Sequence, residues 1–173
     1  MTYQAEFAQM KTFLHFTEAD VSRLQQLAPV FHEHAATITD AFYARLAEDS
    51  ETAPIIGGRV EALKRTHKAW MVRLFAGEYD DAFLDEQVRI GRVHVRAGIL
   101  PRFVELIGSV LRQDGIALIN HHFDDQEMID SYIKVLDLTL SAISYAYLDE
   151  RLARMSRISG MSRTLIERLI ARG

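Results

Sequence analysis

His94 is the side chain of this sequence whose position packing alone explains least. It follows Ile90 by four residues and precedes Ala97 by three, so the three share one face of a predicted, otherwise apolar helix. Gly98 can end that helix, and Pro101 can take the first position of the next one. An imidazole that points into an apolar pocket near a helix end suits the axial ligand of a haem iron. The same position also suits a core histidine whose ring nitrogens bond to the backbone.

Tyr43 and His67 are the two further side chains that could face an iron held by His94. Tyr43 follows Phe42 beside an apolar helical stripe, where its hydroxyl could either point inward or reach solvent. His67 lies on a second stripe together with Trp70, and it could be a distal histidine, a second axial ligand or a structural histidine. Spacing alone leaves these alternatives open.

Other kinds of chemistry find no support in the sequence. We find no glycine-rich phosphate loop, no nucleophile elbow and no zinc-binding His-Glu-x-x-His motif. The acidic pairs at 80–81 and 124–125 fall at predicted helix starts, where carboxylates interact favourably with the helix dipole. The chain has no cysteine, which excludes disulfides, iron–sulfur clusters, thiolate-ligated haem and covalent c-type attachment. We therefore expect no catalytic residue and no enzyme activity in this chain itself.

The composition is that of one globular domain. The chain has 173 residues, of which 49% are hydrophobic and 25% are charged. Its formal net charge of −4 gives no general attraction to nucleic acid or to an anionic membrane. The N-terminal stretch carries charged residues and no long apolar run, and no segment suits a bilayer span. We therefore expect a cytoplasmic protein with neither a nucleic-acid nor a membrane partner.

The hydrophobic pattern predicts an all-α chain, because strand-like alternation is absent throughout. Helix boundaries follow from capping residues, prolines and glycines. In the first half we predict a short helix from a capping box at 17–20 to about Leu27, a helix that begins at Pro29, and a breaker region at 51–58. A helix from about Val60 to Gly77 follows, and then the His94 helix from about Asp80. The last two predicted helices are one over 101–121 and a long one that begins near Asp125 and continues towards the C-terminus.

The long last helix has two apolar stripes and predicts a partner subunit. One stripe contains Ile129, Ile133, Leu136, Leu140, Ile143 and Tyr147, and the other contains Met128, Tyr132, Val135 and Ala142. A helix that is apolar over such a wide arc must be covered on two sides. We therefore expect a homodimer through the Pro101 and Asp125 helices, with a monomeric bundle as the alternative.

The composition changes after residue 150. Residues 151–173 contain a helical apolar stripe and one acidic residue, Glu167, together with Arg151, Arg154, Arg157, Arg163, Arg168 and Arg172. Such a segment could contact nucleic acid, but it lacks interleaved aromatic residues. We place one domain at 1–150 and a helical connector to a missing output domain at 151–173.

The sequence resembles the haem-binding domain of globin-coupled sensors, within the wider protoglobin group. The resemblance runs from about residue 13 to residue 147, and its pieces occur in the expected order. They are FLHFTEAD at 13–20, DAFYARL at 40–46, LKRTHKAW at 63–70, LFAGEYD at 74–80 and IGRVHVRAGILP at 90–101. The last piece is the most specific of the five.

This resemblance implies a modified globin fold that binds haem b, which is iron protoporphyrin IX. His94 would be the proximal ligand and the only metal ligand, and the Tyr43 hydroxyl would donate a hydrogen bond to dioxygen. CO and NO are further expected ligands. His67 would adjoin the pocket rather than serve as its distal ligand. The residues expected at the cofactor are His94, Tyr43, Phe42, Leu63, Thr66, Trp70, Ile90, Val93 and Phe103.

One departure from the family pattern affects the proximal side. Some members carry an aromatic pair shortly after the proximal helix, and the matching place here reads Phe103-Val104. A tyrosine-based proximal hydrogen bond from that place is therefore not expected, and any proximal relay must use another group.

The resemblance implies an oxygen-sensing domain that regulates a covalently attached C-terminal output, for which a diguanylate cyclase is the expected module. Two alternatives belong to other classes. The chain could be a stand-alone globin that stores oxygen or detoxifies nitric oxide, or a haem-free dimerisation module. The helix beyond Tyr147 argues against the first. The presence of both His94 and Tyr43 argues against the second, since a haem-free core would favour apolar side chains there.

Overall fold

The computed structural model describes residues 3–172, and all regular elements within that range are α-helices. They are α1 (Tyr3–Phe13), α2 (Glu18–Glu48), α3 (Ala53–Ile56), α4 (Val60–Arg73), α5 (Asp81–Arg96), α6 (Pro101–His122), α7 (Gln126–Ser159) and α8 (Arg163–Arg172). The structure does not describe residues 1, 2 and 173, which are the outer ends of the segments expected at 1–150 and 151–173. No helix in the described range is long and apolar enough to cross a membrane.

Several helix ends lie where the sequence predicts them. Asp80 and Asp125 are N-caps whose carboxylates accept backbone N–H bonds from the first turns of α5 and α7. Asp20 completes the expected capping box at the start of α2, with its Oδ2 atom 2.8 Å from the Thr17 nitrogen. Gly98, with φ of 77°, follows the end of α5, and Pro101 is the first residue of α6.

The predicted helix break at Pro29 is wrong. Pro29 lies inside one continuous helix, α2, on its exposed side. A proline within a helix costs about 3 kcal/mol, because it removes a donor and crowds the preceding turn. Leu24 before it and Phe31 after it are both buried in the same core. The burial of these two side chains along one continuous helix therefore outweighs the local cost of Pro29.

The last helix does not extend to the C-terminus in one piece. It ends at Ser159, and Gly160 takes a left-handed conformation with φ of 72° before α8 begins. α8 packs back on α7 through Ile166, which is 2% exposed. The Asp149 carboxylate of α7 accepts hydrogen bonds from Arg163 at 2.5 Å and from the Tyr3 hydroxyl at 2.8 Å. Neither α1 nor the short α3 was expected from the sequence pattern.

Both apolar stripes of α7 are covered mainly by the chain's own helices. α7 packs against α1, α2, α5 and α6, and nearly all residues of the two stripes are buried. The expectation that one stripe is left for a partner subunit is therefore wrong, because five helices share a single core around α7. Ile133 and Leu140 are the stripe residues that remain half-buried.

The backbones of α5 and α7 approach each other closely at Gly91. A Cβ atom placed on Gly91 would lie 2.6 Å from the Ile143 carbonyl oxygen and 2.8 Å from the Ala146 Cβ atom. Such distances leave no room for a side chain between the two backbones. The absence of a side chain at Gly91 thus sets the separation of α5, and of His94 three residues later, from α7.

We predict that Gly91→Ala lowers the free energy of unfolding by about 1–3 kcal/mol, because the added methyl group overpacks a backbone contact. This loss should exceed the gain of about 1 kcal/mol in helix propensity that alanine brings. Urea denaturation measures the change. Gly57→Ala is the matched control, since a Cβ atom there would meet the Ala53 oxygen at 3.4 Å and the Pro54 oxygen at 3.8 Å, both at ordinary contact distance. Equal stability of the two variants would contradict the close contact.

Candidate functional site

Helices α4 and α5 carry most of the predicted site residues, and we call the space between them the crevice. Helix α4 packs on α2, and α5 packs on α7, whereas Trp70 and Arg73 of α4 contact Gln87 and Glu86 of α5. His94 lies in the last turn of α5. Leu63, Thr66 and His67 lie along α4. The predicted residues therefore flank one gap in the fold.

The His94 imidazole is held by its own helix. Its Nδ1 atom lies 2.8 Å from the Ile90 carbonyl oxygen, so Nδ1 carries the proton and donates this hydrogen bond. Burial lowers the pKa of His94, although the bond to Ile90 acts in the opposite direction. The ring is therefore neutral near pH 7, and its Nε2 lone pair is free to bind a metal.

Apolar side chains surround the base of His94. The cluster consists of Val95, Val104, Ile143 and Tyr147, with Ile90 and Leu140 packed at its edge. We call these residues the His94-side cluster. The Tyr147 ring centroid lies 6.3 Å from that of His94. Aliphatic walls of this kind lower the local dielectric and keep water from the imidazole.

Tyr43 lies in a second cluster, which α2, α3 and α4 form together. Its members are Phe42, Tyr43 and Ile56, with Leu46, Val60, Leu63 and Ile107 packed against them. We call this the Tyr43 cluster. Burial raises the pKa of Tyr43 to about 12, so the phenol remains protonated at physiological pH. Its hydroxyl makes no hydrogen bond to any described residue, which leaves a neutral donor available to a ligand.

Helix α6 brings the two clusters together. Val104 belongs to the His94-side cluster and Ile107 packs against the Tyr43 cluster. Residues three apart on a helix share one face, so the two clusters meet over a single turn of α6. The His94-side cluster and the Tyr43 cluster therefore lie next to each other along α6.

His67 is stacked among aromatic rings next to Tyr43. Its ring is stacked on Phe42 at 4.5 Å and on Trp70 at 5.3 Å, and its centroid is 6.0 Å from the Tyr43 ring. The Nδ1 atom lies 3.0 Å from the Thr39 hydroxyl oxygen, whereas Nε2 is buried without a partner in the described range. Burial lowers the pKa of His67 to about 4, so this ring is also neutral near pH 7.

Two side-chain contacts join α4 to α5 at one end of the crevice, and one of them is an ion pair between Arg73 and Glu86, whose Nε and Oε2 atoms lie 2.8 Å apart. The Trp70 indole N–H of α4 donates to the Gln87 side-chain oxygen of α5 at 3.0 Å. Gln87 is 1% exposed, and its amide nitrogen lies 3.3 Å from the Phe83 carbonyl oxygen. The polar atoms of Gln87 are thus satisfied inside the fold, and its side chain helps to join α4 and α5.

The remaining predicted residues occupy the walls and rim of the same region. Ile90 and Leu63 pack at the edges of the two clusters. Phe103 is buried near the start of α6. Val93 is 48% exposed, and Thr66 is exposed with its hydroxyl 3.0 Å from the Ala62 carbonyl oxygen. Contact of each of these residues with a cofactor remains a prediction.

The side chains at the crevice fit a haem that has one histidine ligand. Such a group needs a neutral imidazole nitrogen, an apolar enclosure and a hydrogen-bond donor opposite the imidazole. His94 Nε2, the Tyr43 hydroxyl and His67 Nε2 have no hydrogen-bond partner among the described residues. Of these three atoms, His67 Nε2 is fully buried, and an unpaired buried polar atom is costly in a core that serves only packing.

Comparison with known proteins supports the globin architecture. The globin domain of a Geobacter sulfurreducens globin-coupled sensor superposes with a TM-score of 0.76 at 32% sequence identity, over 81% of this chain and 96% of that one. The ferrous form of the globin domain of E. coli DosC superposes with a TM-score of 0.67 at 19% identity, over 79% of this chain and 99% of that one. The latter likeness shows the fold alone.

Family comparison then identifies the chain. The fold and crevice define an all-α globin, as the resemblance implied. The family model Protoglobin matches residues 3–153, and the chain belongs to this family. The heme-based aerotactic transducer HemAT of Halobacterium salinarum is 28% identical over 101 residues, which make up 57% of this chain and 21% of HemAT. The aligned part thus spans about a fifth of that relative's length.

The sequence reading missed three residues that shape the site. Gln87 precedes His94 by seven residues and therefore lies on the same side of α5, so a polar residue on an apolar stripe was a usable signal. Thr39 precedes Tyr43 by four residues on α2 and carried a similar signal. Tyr147 appeared only as a member of an apolar stripe, and nothing local indicated that it approaches His94.

Proposed function

We propose that this chain binds haem b through His94 and senses dioxygen, with CO and NO as further ligands. The observation that carries the proposal is the orientation of His94. Its Nδ1–H donates to the Ile90 carbonyl oxygen, which leaves Nε2 as a neutral ligand beside the crevice. Haem, when bound, supplies an iron with a free coordination position for a diatomic gas.

Tyr43 is proposed to set the affinity for dioxygen. Its phenol is neutral and buried and makes no hydrogen bond to the residues that the structure describes, so it can donate to a polarised ligand without first breaking such a bond. A hydrogen bond to a charged acceptor contributes roughly 1.5–3 kcal/mol. That contribution corresponds to an affinity change of about ten- to a hundred-fold. CO is less polarised and should gain much less from the same donor.

The connector and output are proposals of the same kind. We propose residues 1–150 as the sensor domain and 151–173 as the connector to a C-terminal signalling module. Coupling between a ligand site and an output is typically about 1–3 kcal/mol, which modulates an activity without switching it absolutely. A diguanylate cyclase output and a cytoplasmic location remain predictions. The coding sequence downstream of Gly173 would test the first, and a different module there would contradict it.

We predict that the purified chain, supplemented with haem, gives a ferrous spectrum that changes reversibly on adding oxygen. His94→Ala should abolish this spectrum, because the iron loses its protein ligand. His122→Ala is the matched control, since His122 is exposed at the end of α6. Visible absorption measures both variants. A wild-type chain that takes up no haem would contradict the proposal and favour a haem-free helical module.

Tyr43→Phe should speed oxygen dissociation at least several-fold, and up to about a hundred-fold, while CO dissociation stays nearly unchanged. Stopped-flow oxygen displacement and flash photolysis of the CO complex measure the two rates. Tyr79→Phe is the control, because Tyr79 is equally buried and its hydroxyl bonds to the Leu74 carbonyl. Equal effects of Tyr43→Phe on both gases would remove this role from Tyr43.

We also propose that the protein is a homodimer through the outer sides of α6 and α7. Since both apolar stripes of α7 are largely buried, the support comes from other residues. Leu106 on α6 is 60% exposed and Leu148 on α7 is 56% exposed. Large aliphatic side chains exposed on neighbouring helices are typical of a surface that associates.

Leu106→Glu should shift the protein from dimer to monomer, because the interface would then bury an unpaired charge. Light scattering coupled to size-exclusion chromatography measures the mass. Leu169→Glu should leave the mass unchanged, since Leu169 lies on α8 and is similarly exposed, at 54%. A monomeric wild type, or loss of the dimer in both variants alike, would contradict this interface.

A further inference from the structure

Thr39 and His67 form a side-chain pair that joins α2 to α4. Thr39 is 2% exposed, and its hydroxyl oxygen lies 3.0 Å from the His67 Nδ1 atom. The Thr66 hydroxyl bonds to the carbonyl oxygen four residues earlier in its helix, whereas the Thr39 hydroxyl makes no such bond. Among the described residues, the hydroxyl proton of Thr39 therefore has one acceptor, the Nδ1 atom of His67.

This pair determines which nitrogen of His67 carries the proton. The ring is neutral, because burial lowers its pKa to about 4, so one nitrogen is a donor and the other is an acceptor. A hydroxyl that donates to Nδ1 puts the ring proton on Nε2, and Nε2–H is then the one group of the pair without a described partner. The opposite arrangement would leave both the hydroxyl proton and the Nε2 lone pair unpaired. The first arrangement is therefore favoured, since each unpaired buried polar group is costly.

The surrounding rings and Thr39 together fix the direction of the Nε2–H group. The imidazole is stacked on Phe42 with an interplanar angle of 6° and on Trp70 with an angle of 29°. Stacking sets the plane of the ring, but a half-turn about the Cβ–Cγ bond would keep that plane and exchange the two edges. The hydrogen bond to Thr39 opposes this half-turn, and Nε2 stays on the edge away from Thr39.

We propose that Thr39 is a positioning residue for His67, and that the Nε2–H group of His67 is a second hydrogen-bond donor beside Tyr43. Two neutral donors suit a diatomic ligand whose atoms carry partial negative charge, such as dioxygen, and CO gains less from them. The inference rests on the proposed binding of haem by His94. It also means that His67 is not an iron ligand, because a protonated Nε2 has no lone pair to give.

The first test determines the tautomer of His67 in the unmodified protein. NMR of the imidazole nitrogens in the haem-supplemented ferrous CO complex reports which of them is protonated. We expect the proton on Nε2, with Nδ1 as the acceptor. A proton on Nδ1 would overturn the proposal. A six-coordinate ferrous spectrum in the absence of gas, abolished by His67→Phe, would also overturn it.

The second test determines whether Thr39 acts through His67. Thr39→Val removes the hydroxyl, and it should speed oxygen dissociation by about two- to ten-fold, as the loss of one hydrogen bond predicts, with CO dissociation nearly unchanged. His67→Phe keeps a ring in the stack but removes the donor, so it should have a similar effect. The double variant should be no faster than His67→Phe alone, because both substitutions remove the same bond.

Two further variants separate this role from a contribution to folding. Thr39→Ser keeps the hydroxyl and should retain the wild-type rates. Ser131→Ala removes another buried hydroxyl that joins two helices, since it donates to the Asp20 carboxylate at 2.8 Å, and it should leave both rates unchanged.

Equal acceleration for the two gases, additive effects in the double variant, or a similar effect of Ser131→Ala would overturn the role of Thr39. The measurement of the tautomer needs no variant, so it remains decisive if Thr39→Val folds poorly. A wild-type chain that takes up no haem would contradict the proposed function, and with it the donor role of His67. That outcome differs from a chain that binds haem and carries the His67 proton on Nδ1.

Discussion

The packing of α5 on α7 without an intervening side chain is the constraint on which the site depends. At Gly91 the backbone of α5 approaches the Ile143 carbonyl more closely than any side chain would permit. This contact fixes where α5 runs, and α5 carries both His94 and its orienting carbonyl at Ile90. Because Gly91 and His94 are three residues apart on one face of α5, this contact also fixes how far the backbone at His94 lies from α7. The position of α5, and with it that of His94, therefore depends on the lack of a side chain at Gly91.

The crevice combines apolar walls with polar atoms that the fold does not satisfy. The pKa values of His94, His67 and Tyr43 are all shifted towards the neutral form by burial. A buried polar group without a partner costs about 1–3 kcal/mol. The fold tolerates this cost because α2, α6 and α7 form an extensive core with stacked aromatic rings, such as Phe31 and Phe75 at 4.2 Å. The stability of that core offsets the cost of leaving polar atoms at the site without hydrogen-bond partners.

The sequence predicted those features that depend on neighbouring residues. The caps at Asp80 and Asp125 and the end of α5 at Gly98 follow from local capping chemistry and lie where expected. The continuity of α2 through Pro29 could not be predicted, since it depends on burial against distant helices. The hydrogen bond from Trp70 to Gln87 joins residues 17 apart, and that from Tyr147 to Ile99 joins residues 48 apart. No local pattern encodes such pairs, so the family resemblance indicated the axial residue but not its supporting contacts.

The hydrogen bond between Trp70 and Gln87 makes the crevice asymmetric. It joins α4 and α5 near the connection between them, whereas Leu63 and His94 lie towards the far ends of the two helices. The two helices are therefore held together near Trp70, whereas His94 lies at the other end of α5. Trp70 and Gln87, together with Arg73 and Glu86, hold the two helices together at the Trp70 end. These contacts therefore limit how far α4 and α5 can separate near their connection, without involving His94.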